Sequence, residues 1–274
     1  MKRISYFNLA CAMTFALGMT TGFATLAVAG GPPLPTSATT ETRVFNDCPA
    51  STVNVVDAYP ALISIDDTAA PACTTGANLH IWRFSTDNTN PQQYNNGDVF
   101  RFAADLVIEG PGQGESGLQI SPWFSPRVDG RFNVRTTDGE IAVFGGVLPF
   151  YNFSGAPNNV RYVKGTPIHL EMNYNPRSNT IADPGQIEYK LVYNAQFYTS
   201  GILLMEGCNT TEEPIYGCYG ILNFAQAGGH LQALWGPGAG QLIKSTWTNI
   251  QFHPDVKPTA AVSSSWGRVK TLYR

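Results

Sequence analysis

Charged residues are scarce in this chain of 274 residues. Lys, Arg, Asp and Glu together make up 14% of it, against about 25% in an average soluble protein. The 17 Lys and Arg are outnumbered by 20 Asp and Glu, and no stripe of basic residues occurs anywhere in the sequence. Proteins that bind nucleic acid through its phosphates need such a stripe, so we expect no nucleic-acid partner.

Long apolar runs are also missing after the first 29 residues. Residues 4–29 carry no charge, follow Lys2 and Arg3, and end in the small-residue pattern Ala-Val-Ala at 27–29. This pattern is typical of a secretory signal peptide cleaved before Gly30; an uncleaved N-terminal anchor is the alternative. We therefore expect a secreted protein, periplasmic or extracellular, with no membrane span after cleavage.

Cysteines are few, and four remain after the signal segment: Cys48, Cys73, Cys208 and Cys218. An even number in an exported chain indicates disulfides, and three pairings are possible. We favour pairing between neighbours, Cys48 with Cys73 and Cys208 with Cys218, because the second bridge would close a short polar loop. The alternative, a metal site, lacks the Cys-x-x-Cys spacing. We expect no metal ion or other cofactor.

Helical periodicity is absent from the mature chain, and an alternation of apolar and polar residues replaces it. Six segments show the alternation: 99–109, 118–124, 131–135, 168–174, 187–193 and 246–252. Each reads as a strand with one buried and one solvated face, which is the antiparallel pattern. Asp-Gly pairs at 129–130 and 138–139 are typical of hairpin turns. The sequence predicts an all-β protein, a single large antiparallel β-sandwich.

The sequence divides into four parts. The signal peptide, residues 1–29, is followed by a flexible lead-in rich in Gly, Pro, Ser and Thr at 30–44. The sandwich takes residues 45–253, with no linker-like break inside. The tail at 254–274 carries three cations and no acid in its last nine residues, and we interpret it either as an export or attachment signal or as an edge strand.

The strand-rich body resembles the jelly-roll sandwich of the concanavalin A-like lectins and glucanases. The segments that carry the resemblance are residues 117–123, 165–174, 186–194 and 247–252. It implies a concave sheet whose polar side chains bind sugar chains. The catalytic Glu-x-Asp-x-Glu of the glucanases is absent, as are the lyase signatures and the metal loop of the legume-type lectins. The resemblance therefore implies a fold and leaves the activity open.

One candidate site lies on the polar face of the predicted strands 168–174 and 187–193. His169, Glu171 and Glu188 alternate there with apolar neighbours. If the protein cleaves glycans, two carboxylates about 5 Å apart would serve as nucleophile and acid/base.

The register of these two strands decides between two interpretations. If Glu171 lies opposite Glu188, their spacing suits a retaining glycosidase. If Tyr174 pairs with Ile187 instead, Glu171 faces Lys190, and the result is an ordinary surface ion pair worth less than about 1 kcal/mol.

A second candidate site combines Arg131 and Arg135 on one strand face with Trp123 on a neighbouring strand. The guanidinium groups could hold a uronate or a sulfate, and the indole could stack on a sugar ring. The alternative is a solvated face with one half-buried Trp.

The absence of a recognised catalytic motif favours a non-catalytic protein. We expect a secreted β-sandwich that binds a polysaccharide or cell-surface glycan, or that takes part in an extracellular assembly, with self-association as a further expectation. A glycoside hydrolase or polysaccharide lyase is the alternative, so whether the protein is an enzyme stays open. The two interpretations differ in whether the candidate side chains converge in one cleft.

The predicted bridge between Cys208 and Cys218 is testable by peptide mapping without reduction. We expect a linked peptide pair in protein purified from an oxidising compartment, and removal of a bridge should lower the free energy of unfolding by about 2–4 kcal/mol. Free thiols at both positions would contradict the pairing.

Overall fold

The computed structural model describes residues 31–121, 130–205, 219–236 and 241–254. These residues form strands and loops, and no helix among them is long and apolar enough to cross a membrane. In chain order the strands are β1 (Ser37–Asn46), β2 (Thr52–Ala58), β3 (Leu62–Thr68), β4 (Gly76–Ser85), β5 (Phe100–Glu109), β6 (Gln113–Ser121), β7 (Gly130–Arg135), β8 (Ile141–Phe144), β9 (Tyr151–Asn152), β10 (Ile168–Asn175), β11 (Gln186–Tyr193), β12 (Gln196–Leu204), β13 (Gln226–Trp235) and β14 (Leu242–Pro254).

The strands make two antiparallel sheets of seven strands each. Sheet 1 has the order β1-β4-β13-β6-β7-β8-β9, and sheet 2 has the order β12-β11-β10-β5-β14-β3-β2. Strands far apart in the chain are neighbours, such as β4 with β13 and β5 with β14. The predicted all-β antiparallel sandwich is confirmed.

The alternation in the sequence matches the burial of the strands. In β10 the apolar residues Ile168, Leu170, Met172 and Tyr174 are buried, and the residues between them are only half-buried. Successive side chains of a strand point to opposite faces, so one face of each sheet joins a common core and the other faces outward.

Aromatic rings fill much of the space between the sheets. Phe84 of sheet 1 meets Phe102 of sheet 2 edge to face, with ring centroids 5.9 Å apart, and Trp82 meets Trp247 at 6.0 Å. All four rings are completely buried. Each buries a large apolar surface, and edge-to-face contacts add about 0.5–1.5 kcal/mol per pair.

One polar network crosses this core. Asp67 of β3 accepts hydrogen bonds at Oδ2 from His80 Nε2 (2.9 Å) and Asn78 Nδ2 (2.9 Å), both on β4. The backbone N–H of Arg43 donates to His80 Nδ1 (3.1 Å), so the ring proton sits on Nε2 and points at the carboxylate. Asp67 and His80 are completely buried, and the network therefore ties sheet 2 to sheet 1.

The predicted disulfide between Cys48 and Cys73 is confirmed, with the two Cα atoms 5.4 Å apart. The Cys48 backbone N–H donates to Asn78 Oδ1 (3.0 Å), so the bridge adjoins the polar network. Cys208 and Cys218 lie outside the described residues, as do the proposed signal peptide and nearly all of the tail.

The lead-in at 30–44 is shorter than predicted. β1 begins at Ser37 and pairs with β4, so residues 37–44 belong to sheet 1. Ala38 is buried in the core. The segment was hard to recognise because its Thr and Ser residues favour strands without supplying an apolar alternation.

The Asp67 network makes stability depend on pH in the acid range. Burial alone would raise the pKa of Asp67, but the hydrogen bonds from His80 and Asn78 hold the pKa below its ordinary value. The stability that the carboxylate contributes is therefore complete above its unfolded pKa of about 3.9. It is lost as the pH falls through the lower folded value.

We expect Asp67→Asn to lower the free energy of unfolding at pH 7 by about 1.5–3 kcal/mol, because hydrogen bonds from His80 and Asn78 to a charged group are lost or weakened. Denaturant titrations from pH 7 to pH 2 should show this deficit shrinking at the acid end. A deficit that does not change with pH would contradict the role of the charge.

Candidate functional site

The predicted site residues lie on two opposite outer faces of the sandwich. Arg131 and Arg135 are on β7 of sheet 1, whereas His169 and Glu171 are on β10 and Glu188 is on β11, both in sheet 2. They do not converge in one cleft. Trp123 lies outside the described residues.

On sheet 2 the strands take the register that pairs Tyr174 with Ile187. Glu171 faces Lys190, whose Nζ lies 3.3 Å from Glu171 Oε1 and 3.2 Å from Glu188 Oε2. A cation therefore bridges the two carboxylates, and the register that would set them directly opposite each other does not form.

Most other polar groups of this sheet 2 face are also paired, although Asn173 Oδ1 and Arg101 Nε are buried without a partner among the described residues. His169 Nδ1 lies 2.6 Å from Asp105 Oδ1, and the Thr199 hydroxyl donates to Glu188 Oε1 (2.8 Å). Arg101 is within 3.8 Å of Glu171. The result is a half-buried ion-pair network, the kind of surface whose pairs each contribute less than about 1 kcal/mol.

The outer face of sheet 1 is different, because most polar side chains at its centre are almost completely buried. We call it the polar face, and it comprises Arg83, Gln119, Arg131, Asn133, His230 and Gln232. Of these, Gln119 and His230 are 0% exposed and Arg131 is 4% exposed. Buried polar groups in such number need a physical reason, because each costs free energy unless it is hydrogen-bonded.

Cross-strand register brings these residues together. Gln119 of β6 lies between Gly228 of β13 and Arg131 of β7. In the next row, Gly117 of β6 lies between His230 and Asn133. Each row thus has a glycine beside or between polar side chains.

The two glycines have no room for a side chain. A Cβ at Gly117 would lie 1.8 Å from the carbonyl oxygen of Phe132, and one at Gly228 would lie 2.0 Å from that of Trp82. The space above Gly117 is crossed by the flanking side chains, since His230 Nε2 meets Asn133 Oδ1 at 3.0 Å. Only glycine therefore fits at these two positions, and at Gly117 this lets the flanking polar side chains meet above the strand.

His230 is held neutral on this face. Burial lowers the pKa of His230 well below its ordinary value, and the positive charge of Arg131 lowers it further. Because Nε2 donates to the Asn133 carbonyl, Nδ1 carries the lone pair. Arg131 itself donates to Gln232 Oε1 (2.8 Å), and Arg83 pairs with Glu41 (2.7 Å).

Several polar atoms of this face have no hydrogen-bond partner among the residues that the structure describes. They are Gln119 Oε1, Gln119 Nε2, His230 Nδ1 and Arg83 Nε. An unsatisfied buried polar group costs about 1–3 kcal/mol. These atoms are donors and acceptors side by side, which is the requirement for binding a molecule with hydroxyl groups.

The guanidinium group of Arg135, the second predicted arginine, is bound by two carboxylates of the turn between β7 and β8. It donates to Asp138 through two nitrogens (2.8 and 2.7 Å) and pairs with Glu140 (2.8 Å). The side-chain hydrogen bonds to Asp138 dominate the raised pKa of Arg135. Because these carboxylates occupy its guanidinium group, Arg135 is not counted among the residues of the polar face.

No group of three or more His, Cys, Asp or Glu within the described ranges could hold a metal ion. The oxygen-rich loop at 85–98 is held by its own side chain, because Asp87 Oδ1 accepts backbone hydrogen bonds from Thr89 (2.9 Å) and Asn90 (2.7 Å). The hydrogen bond from the Asn90 side chain, followed by these backbone bonds, lowers the pKa of Asp87.

Gln119 and His230 were not recognised from the sequence. His230 reads as an isolated histidine, because its partner Asn133 is 97 positions away. The available signal was local: Gly228-Gly229-His230-Leu231-Gln232 places two polar residues and a glycine on one face of an otherwise buried strand.

No protein-family model matches the chain, and no curated protein matches it. Solved structures do match in fold. The Lotus tetragonolobus seed lectin is 8% identical, with 83% of this chain and 97% of that chain covered and a TM-score of 0.43. Arcelin-5, a lectin-like defense protein from Phaseolus vulgaris, is 10% identical (79% and 100% covered, TM-score 0.36). The polysaccharide lyase family 18 enzyme aly-SJ02 is 8% identical (80% and 95% covered, TM-score 0.34). They include lectins, the group that the sequence resembles.

Proposed function

We propose that this protein is a secreted, glycan-binding β-sandwich whose ligand occupies the polar face of sheet 1. The observation that carries the proposal is Gln119, which is completely buried although neither its amide oxygen nor its amide nitrogen has a partner in the described part of the chain. Nδ1 of His230, on the neighbouring row, is also without one there.

The chemistry of the face suits a sugar. A hydroxyl group donates and accepts at the same time, so once the face opens to a ligand, sugar hydroxyls can satisfy the Gln119 amide and the lone pair of His230, which are completely buried in this structure. Arg83 and Arg131 flank Gln119 along its row. Guanidinium groups add affinity for a carboxylate or sulfate on the same chain.

Secretion is supported by two features of the sequence and structure. The first 29 residues have the pattern of a signal peptide, and the Cys48–Cys73 disulfide is of a kind that persists in oxidising compartments. We therefore place the protein in the periplasm or outside the cell.

Glycan cleavage is the second candidate function, with Nδ1 of His230 as the one candidate base on this face among the described residues. Its lone pair has no partner there, but burial and the charge of Arg131 lower the pKa of His230, which makes it a weak base. A lyase needs such a base to take a proton from the sugar carbon beside a uronate carboxyl group. The sheet 2 carboxylates Glu171 and Glu188 are less suited to hydrolysis, because Lys190 bridges them.

The proposal is tested by a glycan-array screen of the purified protein, with and without a chelator, followed by affinity measurements on the best ligand. Gln119→Leu should weaken binding about tenfold or more, because at least two hydrogen bonds of about 0.5–1.5 kcal/mol are lost. The same change should leave the free energy of unfolding unchanged or higher, since it removes an unsatisfied buried amide.

Glu171→Gln and Glu188→Gln are the matched controls on sheet 2, and both should bind as the unmodified protein does. Normal binding by Gln119→Leu, with loss in either sheet 2 variant, would contradict the proposed site. Release of unsaturated products from an acidic glycan, abolished by His230→Gln, would replace binding by lyase activity.

A further inference from the structure

Arg83 and Thr39 face each other at the β1 end of the polar face of sheet 1. They are paired in the register of β1 and β4, and the neighbouring pair, Ala38 with Phe84, is buried in the core. Because successive side chains of a strand point to opposite faces, Arg83 and Thr39 both point outward. Side chains that are directly opposite in an antiparallel pair lie about 4.5–5.5 Å apart at Cβ.

Each of the two side chains has a buried polar atom without a hydrogen-bond partner among the described residues. These atoms are Arg83 Nε and Thr39 Oγ1. Arg83 as a whole is only 7% exposed. A guanidinium nitrogen can only donate a hydrogen bond, and a hydroxyl group can donate one as well. Two neighbouring donors therefore lack an acceptor.

Glu41 does not supply that acceptor. Its Oε2 accepts a hydrogen bond from Arg83 Nη1 (2.7 Å), a different nitrogen of the guanidinium group. The register of β1 shifts directly after Glu41, and such a bulge re-aims the side chains beside it. Arg43 fixes the bulge, because its backbone N–H donates to the buried His80 and its guanidinium group to Ser51. Glu41 thus holds one nitrogen of Arg83 and leaves Nε open.

Arg135 of the same sheet has the contact that Nε of Arg83 lacks. Its Nε and Nη2 donate to the two carboxylate oxygens of Asp138 at 2.8 and 2.7 Å. Two parallel hydrogen bonds to one oxyanion are a preferred contact of arginine. The partner missing at Arg83 is therefore of the same chemical kind as the carboxylate of Asp138.

We propose that Arg83 Nε and Thr39 Oγ1 form a subsite for an oxyanion of the ligand, either a uronate carboxylate or a sulfate ester. This inference rests on the glycan-binding function proposed above, and it specifies the ligand class as acidic glycans. Gly228 lies between Arg83 and Gln119 in their row, and neighbouring strands are about 4.8 Å apart. About 10 Å therefore separates the backbones of Arg83 and Gln119, so one sugar chain can reach both.

The first experiment titrates the purified protein with sodium sulfate and, separately, with sodium acetate, at an ionic strength held constant with sodium chloride. The readout is the NMR signal of the Arg83 Nε–H group, which should shift to saturation with at least one ion because Nε gains an acceptor. The same signal of Arg135 should not move, since Asp138 already binds it. The ion with the stronger effect distinguishes a sulfate ester from a uronate carboxylate.

Thr39→Val removes the hydroxyl group and keeps the shape of the side chain. It should raise the dissociation constant of the ion about tenfold, because a hydrogen bond to a charged group is lost. Thr40→Val is the matched control, since Thr40 is exposed and side chains alternate along β1. An Arg83 signal that responds to neither ion would overturn the subsite, as would equal affinities in the two threonine variants.

The second experiment compares matched glycans on the array, a uronate chain beside its methyl ester and a sulfated chain beside its desulfated form. The unmodified protein should bind the acidic form of at least one pair about tenfold more tightly. Arg83→Lys keeps the positive charge but loses the planar fork of donors, so this preference should disappear while binding of the neutral form remains. Arg135→Lys is the matched control and should keep the preference.

A preference for acidic glycans that survives in Arg83→Lys would contradict the inference. The two experiments also distinguish its failure from that of the proposed function. If an ion shifts the Arg83 signal but no glycan binds, the proposed function fails and the oxyanion subsite stands. If glycans bind through Gln119 but the acidic and neutral forms bind equally, the subsite fails and the proposed function stands.

Discussion

Cross-strand register controls what each outer side chain of this sandwich meets. On sheet 2 it sets Glu171 against Lys190, so that one cation bridges two carboxylates. On sheet 1 it sets Gly117 between His230 and Asn133, so that an imidazole and an amide meet over a glycine. A shift of one residue in either sheet would exchange core and surface residues, and the aromatic core between the sheets prevents such a shift.

The two outer faces differ in how far their polar groups are satisfied. On sheet 2 the carboxylates and cations form partly solvated ion pairs, although Asn173 Oδ1 and Arg101 Nε are buried there without a partner among the described residues. On sheet 1, Gln119 is completely buried, and neither atom of its amide has a partner within the described residues. A protein that keeps an unsatisfied buried amide gives up stability, and such sites are typically those where function sets the residue. The proposed binding site therefore rests on an energetic deficit and not on a motif.

The strands and their inward faces could be predicted from the sequence, because the period-two alternation is local. Parity also placed Glu171 and Glu188 correctly on one face. The register between their strands could not be predicted, since both alignments bury the same apolar residues. Nor could the sequence show that β7 and β10 belong to different sheets, because β6 to β9 join a sheet completed by β1, β4 and β13, which are distant in sequence. His230 was missed because its partner Asn133 lies on a strand that is distant in sequence. β1 was missed because Thr and Ser give no apolar pattern.

Imidazole and side-chain amide NMR signals test the central claim most directly, because histidines mark both faces. His230 lies on the polar face of sheet 1 and His169 on the outer face of sheet 2. When the protein is titrated with the glycan that it binds best, the account predicts that the signals of His230 and of the Gln119 amide shift to saturation together while those of His169 stay fixed. Shifts confined to His169, with Gln119 and His230 unchanged, would contradict it.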